Sequence, residues 1–547
     1  MTEDLWYKNA IIYSLDLETF MDANGDGIGD FEGLCNRLDY LHTLGINTIW
    51  LAPFQSTPNR DNGYDIKDYY SVDPRHGSNG SFVDFMHQAE RRGIRVIIDL
   101  VVNHTSDKHP WFQSARKDKN SPYRDWYVWS EKKPETWNEG MVFPGVQKST
   151  WTYDKEAGAW YHHRFYEHQP DLNTDNPEVR KEIERIMGYW LQLGVAGFRV
   201  DAVPFMIETI STEKKVKPKM HFEYLQDIRR FLQWRTRDAI LLGEANVLPK
   251  ESIKYFGDEG EGIHMMFNFL VNQHTFYALA TGDIAPLVKT LEDTRVASPT
   301  SQWAQFLRNH DELDLGRLTE KQREKVFERF GPEENMQLYG RGLRRRLNPM
   351  LGSRQQVELA YSLMFSLPGT PVIRYGDEIG MGDDLTLNER DAVRTPMHWS
   401  GNRQAGFSQA AKLVHPVIDV GPFSYQHVNV SDQRRSEGSL LNWMMRIIQL
   451  RKECPEIGTG EWVVLDTKVA GVLALQYTRK EKVLIVLHNF NNKPAEVTLT
   501  LKIDDTSQLT NLLDHHETFT NKGRKRTVTL EAYGYRWLRV GSPDDIV

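Results

Sequence analysis

The sequence predicts an α/β fold: a closed (β/α)8 (TIM) barrel, with a subdomain inserted after its third strand and an antiparallel β domain at its C-terminal end. Three observations predict it. Eight short apolar runs recur with amphipathic stretches between them. Four of those runs turn polar at their C-terminal ends, which is where parallel barrel strands converge on one mouth. One segment between runs is too long for a single crossover helix. At 547 residues and 40% hydrophobic, the chain has ample material for a barrel of about 250 residues plus further domains.

The elements follow in order. Candidate strands run from about Ile11 to Leu17, Thr48 to Ala52, Arg95 to Leu100, Gly197 to Val203, Ile240 to Glu244, His264 to Asn268, Trp303 to Leu307 and Pro371 to Tyr375. Phe31, Leu34, Leu38, Leu41 and Leu44 fall on one helical stripe, closed by Gly45 where a left-handed cap is favoured. Phe82, Phe85 and Ala89 repeat the pattern before Gly93. A further helix opens near Pro177 and carries Ile183, Ile186, Trp190 and Leu193 before Gly194. Residues 105–173 are rich in aromatics, among them Trp111, Phe112, Trp126, Tyr127, Trp129, Trp151, Trp160 and Tyr161. They read as the inserted subdomain, its rings either building a small core of their own or stacking on sugar faces. After Cys454 come short alternating strands: Val472 to Tyr477, Val483 to Asn489, Val497 to Leu501 and Tyr535 to Val540. The expected division is therefore 1–104 and 174–453 for the barrel, 105–173 for the insertion and 454–547 for the β domain.

A net charge of −8 argues against a nucleic-acid or anionic-membrane partner, and Arg344-Arg345-Arg346 reads as a solvated helix face. Two cysteines, Cys35 and Cys454, rule out a disulfide scaffold and a cysteine-built metal site, and free thiols are expected. Met1 to Lys8 lacks the basic start and apolar core of a secretory signal, and no segment has 18 uninterrupted apolar residues. A cytoplasmic protein is expected, with its oligomeric state left open, a homo-oligomer included.

Chemistry concentrates at four strand ends: Asp99 to His104, Arg199-Val200-Asp201, Glu244, and Arg308-Asn309-His310-Asp311. Residues two apart on a strand share a side, so Arg199 can hold Asp201 ionised, as a nucleophilic carboxylate requires. Glu244 follows Leu241-Leu242-Gly243 with no adjacent cation in sequence, which favours a raised pKa and a proton to give. Two carboxyl groups in unlike environments are what a retaining glycosidase uses. Separately, Asp22-Ala23-Asn24-Gly25-Asp26-Gly27-Ile28-Gly29-Asp30 sets oxygen donors at alternate positions with a glycine where an EF-hand loop turns. Gly33 stands where the bidentate Glu would be, so the loop is no complete EF-hand.

Asp99-Leu100-Val101-Val102-Asn103-His104, Gly197-Phe198-Arg199-Val200-Asp201, Glu244, Asn309-His310-Asp311 and Gln169-Pro170-Asp171-Leu172-Asn173 together resemble the short motifs of the α-amylase superfamily, glycoside hydrolase family 13. That resemblance implies Asp201 as nucleophile, Glu244 as general acid/base and Asp311 as the carboxylate that grips sugar hydroxyls. It also implies His104, Arg199 and His310 around the same glucosyl unit, with Tyr64 as its stacking floor. No catalytic cofactor is implied. The loop would be a structural calcium (or magnesium) site, with Asp22, Asn24, Asp26 and Asp30 as side-chain ligands and a carbonyl from Ile28.

Asp61-Asn62-Gly63-Tyr64-Asp65 and Val393-Arg394-Thr395 resemble the exo-acting α-glucosidase branch, in which Asp61 and Arg394 would close around the non-reducing end of a small α-linked disaccharide or short oligosaccharide. Ala202 stands where that branch has valine for α-1,6 linkages, which implies α-1,4 or α,α-1,1 substrates. Longer runs, such as Arg124-Asp125-Trp126-Tyr127-Val128-Trp129 and Tyr375-Gly376-Asp377-Glu378-Ile379-Gly380, resemble the trehalose synthase subfamily. The chain departs from that subfamily at Ser14-Leu15-Asp16-Leu17-Glu18 and at Val247-Leu248-Pro249-Lys250, on the acceptor side.

Overall fold

The structure, a computed structural model, describes residues 5–296, 298–501, 508–514, 517–519 and 525–541. Met1 to Asp4 of the N-terminal segment, and Ser542 to Val547 at the far end of the β domain, lie outside them. Eight parallel strands close a barrel: β1 (Ile12–Leu15), β2 (Thr48–Leu51), β3 (Arg95–Leu100), β4 (Gly197–Val200), β5 (Ile240–Gly243), β6 (Met265–Phe267), β7 (Gln302–Phe306) and β8 (Thr370–Arg374). Each starts within about a residue of the position read from the sequence. Alternate residues point inward, so Ile12, Trp50, Ile97, Leu242, Met265, Phe267, Phe306 and Val372 fill the barrel as a packed core rather than a pore.

The helices pack outside. The stripe from Phe31 to Leu44 is not one helix but two, Phe31–Cys35 and Leu38–Leu44, because Arg37 leaves helical geometry (φ −111°, ψ 1°). Gly45 closes the second at φ 97°, and the helices Asn79–Arg91 and Pro177–Gln192 bury Phe82, Phe85, Ile183, Ile186 and Trp190 against the strands. Between β3 and Pro177 the inserted segment forms a helix (Pro110–Lys117) and a three-stranded antiparallel sheet (Trp129–Ser130, Trp151–Asp154, Ala159–His162). Its aromatics pack on one another: Phe112 stacks on Trp129 at 5.5 Å and meets Tyr127 at 5.0 Å, and Trp111 meets Trp126 at 4.8 Å. These rings join the molecule's main core, with Trp111 also stacking on Tyr69 at 5.7 Å.

The C-terminal sheet (Glu461–Val464, Val472–Arg479, Lys482–Asn489, Gln508–Asn511, Thr518–Phe519, Tyr535–Gly541) turns one face to the barrel and the other to a two-stranded sheet, Ala495–Thr500 with Lys525–Leu530. Cys35 and Cys454 are free thiols. Arg344-Arg345-Arg346 is not a solvated face. Arg346 is buried beside Asp377 (3.3 Å), Arg345 forks onto Asp383 (3.0 and 3.1 Å), and Arg344 donates to the carbonyls of Asn335, Leu385 and Leu387. Among the described residues no helix is long and apolar enough to cross a membrane.

Candidate active site

Barrel register assembles the site. β3 pairs with β4 with Asp99 opposite Arg199, and β4 pairs with β5 with Leu242 opposite Arg199 and Gly243 opposite Val200. One step further along both strands, Glu244 comes level with Asp201; the Glu244 N–H donates to the Val200 carbonyl at 3.0 Å. Parallel pairing alone therefore brings the two carboxylates to the C-terminal mouth.

Arg199, almost fully buried, sits beneath them. Its Nη1 donates to Asp99 (2.6 Å) and to Asp201 (2.5 Å), and its Nη2 lies 3.0 Å from Glu244 Oε2. The sequence expectation of a Glu244 clear of any cation is thus corrected: the cation arrives from the neighbouring strand. Trp50 Nε1 donates to the other oxygen of Asp99 at 2.7 Å. A single guanidinium cannot neutralise three buried carboxylates. Burial, opposed by Arg199, pushes Asp201 and Asp99 up to about 6 and Glu244 up to about 7.

Asp201 is followed by Ala202 in left-handed geometry (φ 50°, ψ 40°), a sterically costly conformation for a residue with a side chain. That turn points the Ala202 N–H at Glu244 Oε2, 3.2 Å away.

Asp311 lies on the opposite wall. Burial raises its pKa, but Arg390 (3.0 Å) and Arg394 (3.1 Å) outweigh that and hold it well below the usual carboxylate range. Burial also holds His310 neutral, down to about 3, and keeps His104 below its ordinary value. The Tyr64 ring stacks on His310 (5.5 Å, 11°) and its hydroxyl meets His310 Nε2 at 2.8 Å. His310 Nδ1 is buried without a hydrogen-bond partner.

Asp61, Tyr64, His104, Asp201, Glu244, His310 and Asp311 line one cavity of about 320 Å³, with Phe143, Phe165, Phe205 and Phe269 supplying apolar wall. That volume is at the small end of ligand sites. Arg199 is not on the cavity wall; it lies buried behind Asp201 and Glu244, in contact with both. Arg394 is not on the cavity wall either; it stands behind Asp311 and donates to the His310 carbonyl at 2.8 Å, while Asp61 accepts from Gln169 of the insertion at 2.8 Å. Asp16, in the strand-end run that departs from the subfamily, pairs with Arg374 (2.9 Å) beneath the site.

Sequence reasoning missed several residues: Asp99 as partner of Arg199, Glu312 (2.8 Å from Arg390), Arg390 itself, and the walls Phe143 and Phe165. Only Asp99 had a signal, its place opposite Arg199 once the strands are ordered.

The loop Asp22 to Asp30 is folded by its own side chains. Asp22 accepts from Gly25 (2.7 Å) and Gly27 (2.8 Å), Asn24 from Asp26 (2.9 Å), Asp26 from Ile28 (2.8 Å), and Asp30 from Ala23 and Gly33. Among the described residues no three acidic, His or Cys side chains converge as a metal cluster, so a cation here would draw on amide and carbonyl oxygens as well.

A closed parallel barrel that gathers carboxylates of unlike proton affinity around a small-ligand cavity at its C-terminal mouth defines a carbohydrate-cleaving class of enzyme. The family described as "Alpha amylase, catalytic domain" matches residues 14–336 and 344–460, and "Sucrose hydrolase-like, C-terminal domain" matches residues 481–539. The chain belongs to the α-amylase family, glycoside hydrolase family 13.

Among its relatives, a trehalose synthase of Thermus thermophilus is 46% identical over 490 residues, which cover 88% of this chain and 50% of that protein. The chain thus spans about half the length of that relative. A trehalose synthase of Pimelobacter sp. strain R48 is 39% identical over 559 residues, 99% of this chain and 97% of that protein. The solved trehalose-6-phosphate hydrolase of Bacillus licheniformis superposes with a TM-score of 0.79 at 26% identity, covering 98% of this chain and all of that one.

Proposed function

We propose that the chain interconverts maltose and trehalose by a retaining, intramolecular glucosyl transfer. The observation that carries the reading is that Asp201 and Glu244 line one small cavity and share contact with one guanidinium buried behind them. Near-full-length likeness to a trehalose synthase supports the choice of substrates.

Ionised Asp201 attacks the anomeric carbon while protonated Glu244 gives its proton to the departing glycosidic oxygen, leaving a glucosyl ester on Asp201 and a free glucose. That glucose turns within the cavity. Its anomeric hydroxyl then attacks the same carbon, Glu244 takes the proton, and the Asp201 ester bond breaks, so two inversions return the α configuration. Asp311 holds ring hydroxyls by charge-assisted hydrogen bonds, and Tyr64 packs against the apolar face of the ring. His104 borders the same unit, Arg199 acts on it through Asp201 and Glu244, and a hydroxyl donated to His310 Nδ1 would complete its hydrogen bonding. Asp61 takes the far hydroxyls, and Arg394 keeps Asp311 charged and in place.

Water competes with the second glucose. The outer wall, with Asn246, Asp314, Arg317 and Arg341, is polar, and that observation favours a second reading: an exo-acting α-glucosidase for maltose, trehalose or related small α-glucosides. Phe143, Phe165, Phe205 and Phe269 are the apolar rings on the wall that would exclude water. The reading includes a cytoplasmic location and a small soluble sugar as substrate, with no membrane or nucleic-acid partner.

The test follows all sugars over time from purified protein given maltose or trehalose. Isomerase chemistry gives mainly the other disaccharide, and glucose alone identifies the hydrolase. Loss of conversion should reach about 10⁴-fold or more in Asp201→Asn. Conversion unaffected by that substitution would overturn the assignment of the nucleophile.

We also propose a structural calcium ion at the loop Asp22 to Asp30, held by Asp22, Asn24, Asp26, Asp30 and the Ile28 carbonyl once the three carboxylates turn from the loop amides they accept from here. Chelation with EGTA should lower Tm without changing the maltose turnover of protein that stays folded. An unchanged Tm, together with no calcium by elemental analysis, would remove the ion.

A further inference from the structure

A second cleft, of about 780 Å³, opens between the helix Leu38–Leu44, residues 399–409 and the helix Val430–Arg435. It shares no lining residue with the catalytic cavity. Its charge is unusual for this molecule. Arg37, Arg403, Arg434 and Arg435 all line it, on a chain whose net charge is −8, and among the described residues no carboxylate pairs with any of the four.

Two of these arginines lie over aromatic rings. The Arg37 guanidinium lies 4.2 Å above the Trp399 ring and that of Arg434 lies 5.3 Å from Tyr40, both rings buried. Arg37 Nε is buried with no hydrogen-bond partner. Burial and then the charge of Arg434 both disfavour its own charge. Convergent like charges repel, and an anion bound among them would relieve that repulsion.

The wall is strained as well as charged. Gln404 (φ 53°), Ala405 (φ 57°) and Gly406 (φ 67°) are three consecutive residues in left-handed geometry, immediately after Arg403. The turn is held because the Ala405 carbonyl accepts from both Trp399 and Ser400 at 2.9 Å. Strain of this kind is concentrated at functional sites. Ser400, Asn402, Gln409 and Ser431 add neutral hydrogen-bonding groups beside the arginines. Trp399 and Tyr40 are already capped by guanidinium groups, so no open ring remains to stack on a base.

We infer that this cleft binds a phosphate monoester with a hydroxylated body, a sugar phosphate, at a site separate from the catalytic cavity. The arginines would fork onto the phosphate oxygens and the neutral side chains would take the hydroxyls.

Isothermal titration of the full chain at fixed ionic strength tests it with three probes: glucose 6-phosphate, inorganic phosphate and ATP. Glucose 6-phosphate should bind saturably at one site per chain and more tightly than inorganic phosphate. The double substitution Arg434→Gln/Arg435→Gln should weaken it at least tenfold, whereas Arg230→Gln, remote on the helix Phe222–Arg235, should not, and all variants should keep wild-type maltose turnover. Arg37 packs on Trp399, so its loss could unfold the region; Arg403→Gln, on the exposed rim, gives an independent second variant with the same expected weakening. Absence of saturable glucose 6-phosphate binding, equal affinity in the variants, or affinities ranked by charge alone with ATP tightest would each overturn the inference.

Discussion

At the residue scale the site is a problem in sharing one cation. Asp99, Asp201 and Glu244 all touch Arg199, and burial raises all three, so the pair that does the chemistry titrates as a unit. The nucleophile must be ionised, so activity is lost as pH falls through about 6; the acid must be protonated, so activity is lost as pH rises through about 7. A bell-shaped kcat/KM for maltose with limbs near those values is expected. A profile flat from pH 5 to 8 would contradict the roles given to the two groups. Glu378 is the same physics without a cation: fully buried, accepting from Tyr13 (2.7 Å) and Tyr40 (2.6 Å) through one oxygen, its other oxygen unpaired. Burial outweighs those hydrogen bonds and pushes it up from 4.5 to about 7. Because the folded pKa is raised, the stabilisation is complete below about 4.5 and lost as pH rises through about 7, a swing on the order of 3 kcal/mol. Glu378→Gln keeps an oxygen for both tyrosines, and should raise Tm by a few degrees at pH 8 while changing it little at pH 5, read by calorimetry at both pH values.

At the element scale, all eight barrel strands were legible because each is a short, nearly continuous apolar run, which is what a parallel strand buried on both faces needs. The active pair was half legible. Arg199 and Asp201 share a strand, but the contact of Arg199 with Glu244 exists only because β5 lies beside β4, a topological fact that no local pattern records. Phe143 and Phe165 come from loops and Arg390 from the short 3-10 helix Glu389–Val393, none with an apolar periodicity that would mark it. The break at Arg37 was hidden for another reason: the apolar stripe runs on through it, while its own side chain leaves to cover Trp399. Gly197 shows how tightly β4 and β5 are joined. At φ 147° it takes backbone space that a side chain rarely adopts, and a Cβ there would stand 2.2 Å from the Ile240 carbonyl oxygen and 2.7 Å from its nitrogen. Gly197→Ala must push β4 off β5 and so separate Arg199 from Glu244. We expect soluble Gly197→Ala protein to lose most of its kcat and several degrees of Tm; wild-type kinetics would mean that the strand pairing does not set the catalytic geometry.

At the scale of the whole molecule, the C-terminal sheet is part of the barrel's cooperative unit. Its inner face sends Leu473, Leu475, Tyr477, Val486 and Trp537 into the same continuous core as the barrel helices. Polar groups lock that face in register: Trp537 Nε1 donates to Ser362 at 3.0 Å, Ser362 meets His488 Nε2 at 3.0 Å, and the Tyr477 hydroxyl donates to the Ser366 carbonyl at 2.5 Å. Ser362 and Ser366 lie on the helix Arg354–Ser366, which leads directly into β8. Loss of the sheet would therefore uncover apolar surface and buried hydroxyls next to a barrel strand. Trp537 is fully buried, and truncating such a side chain typically costs about 3–5 kcal/mol. Trp537→Ala should lower the midpoint of one shared transition, with circular dichroism and maltose turnover lost together on heating. Two resolved transitions, with turnover surviving the first, would mean that the barrel stands without the sheet and that the buried face between them is an interface of separable domains.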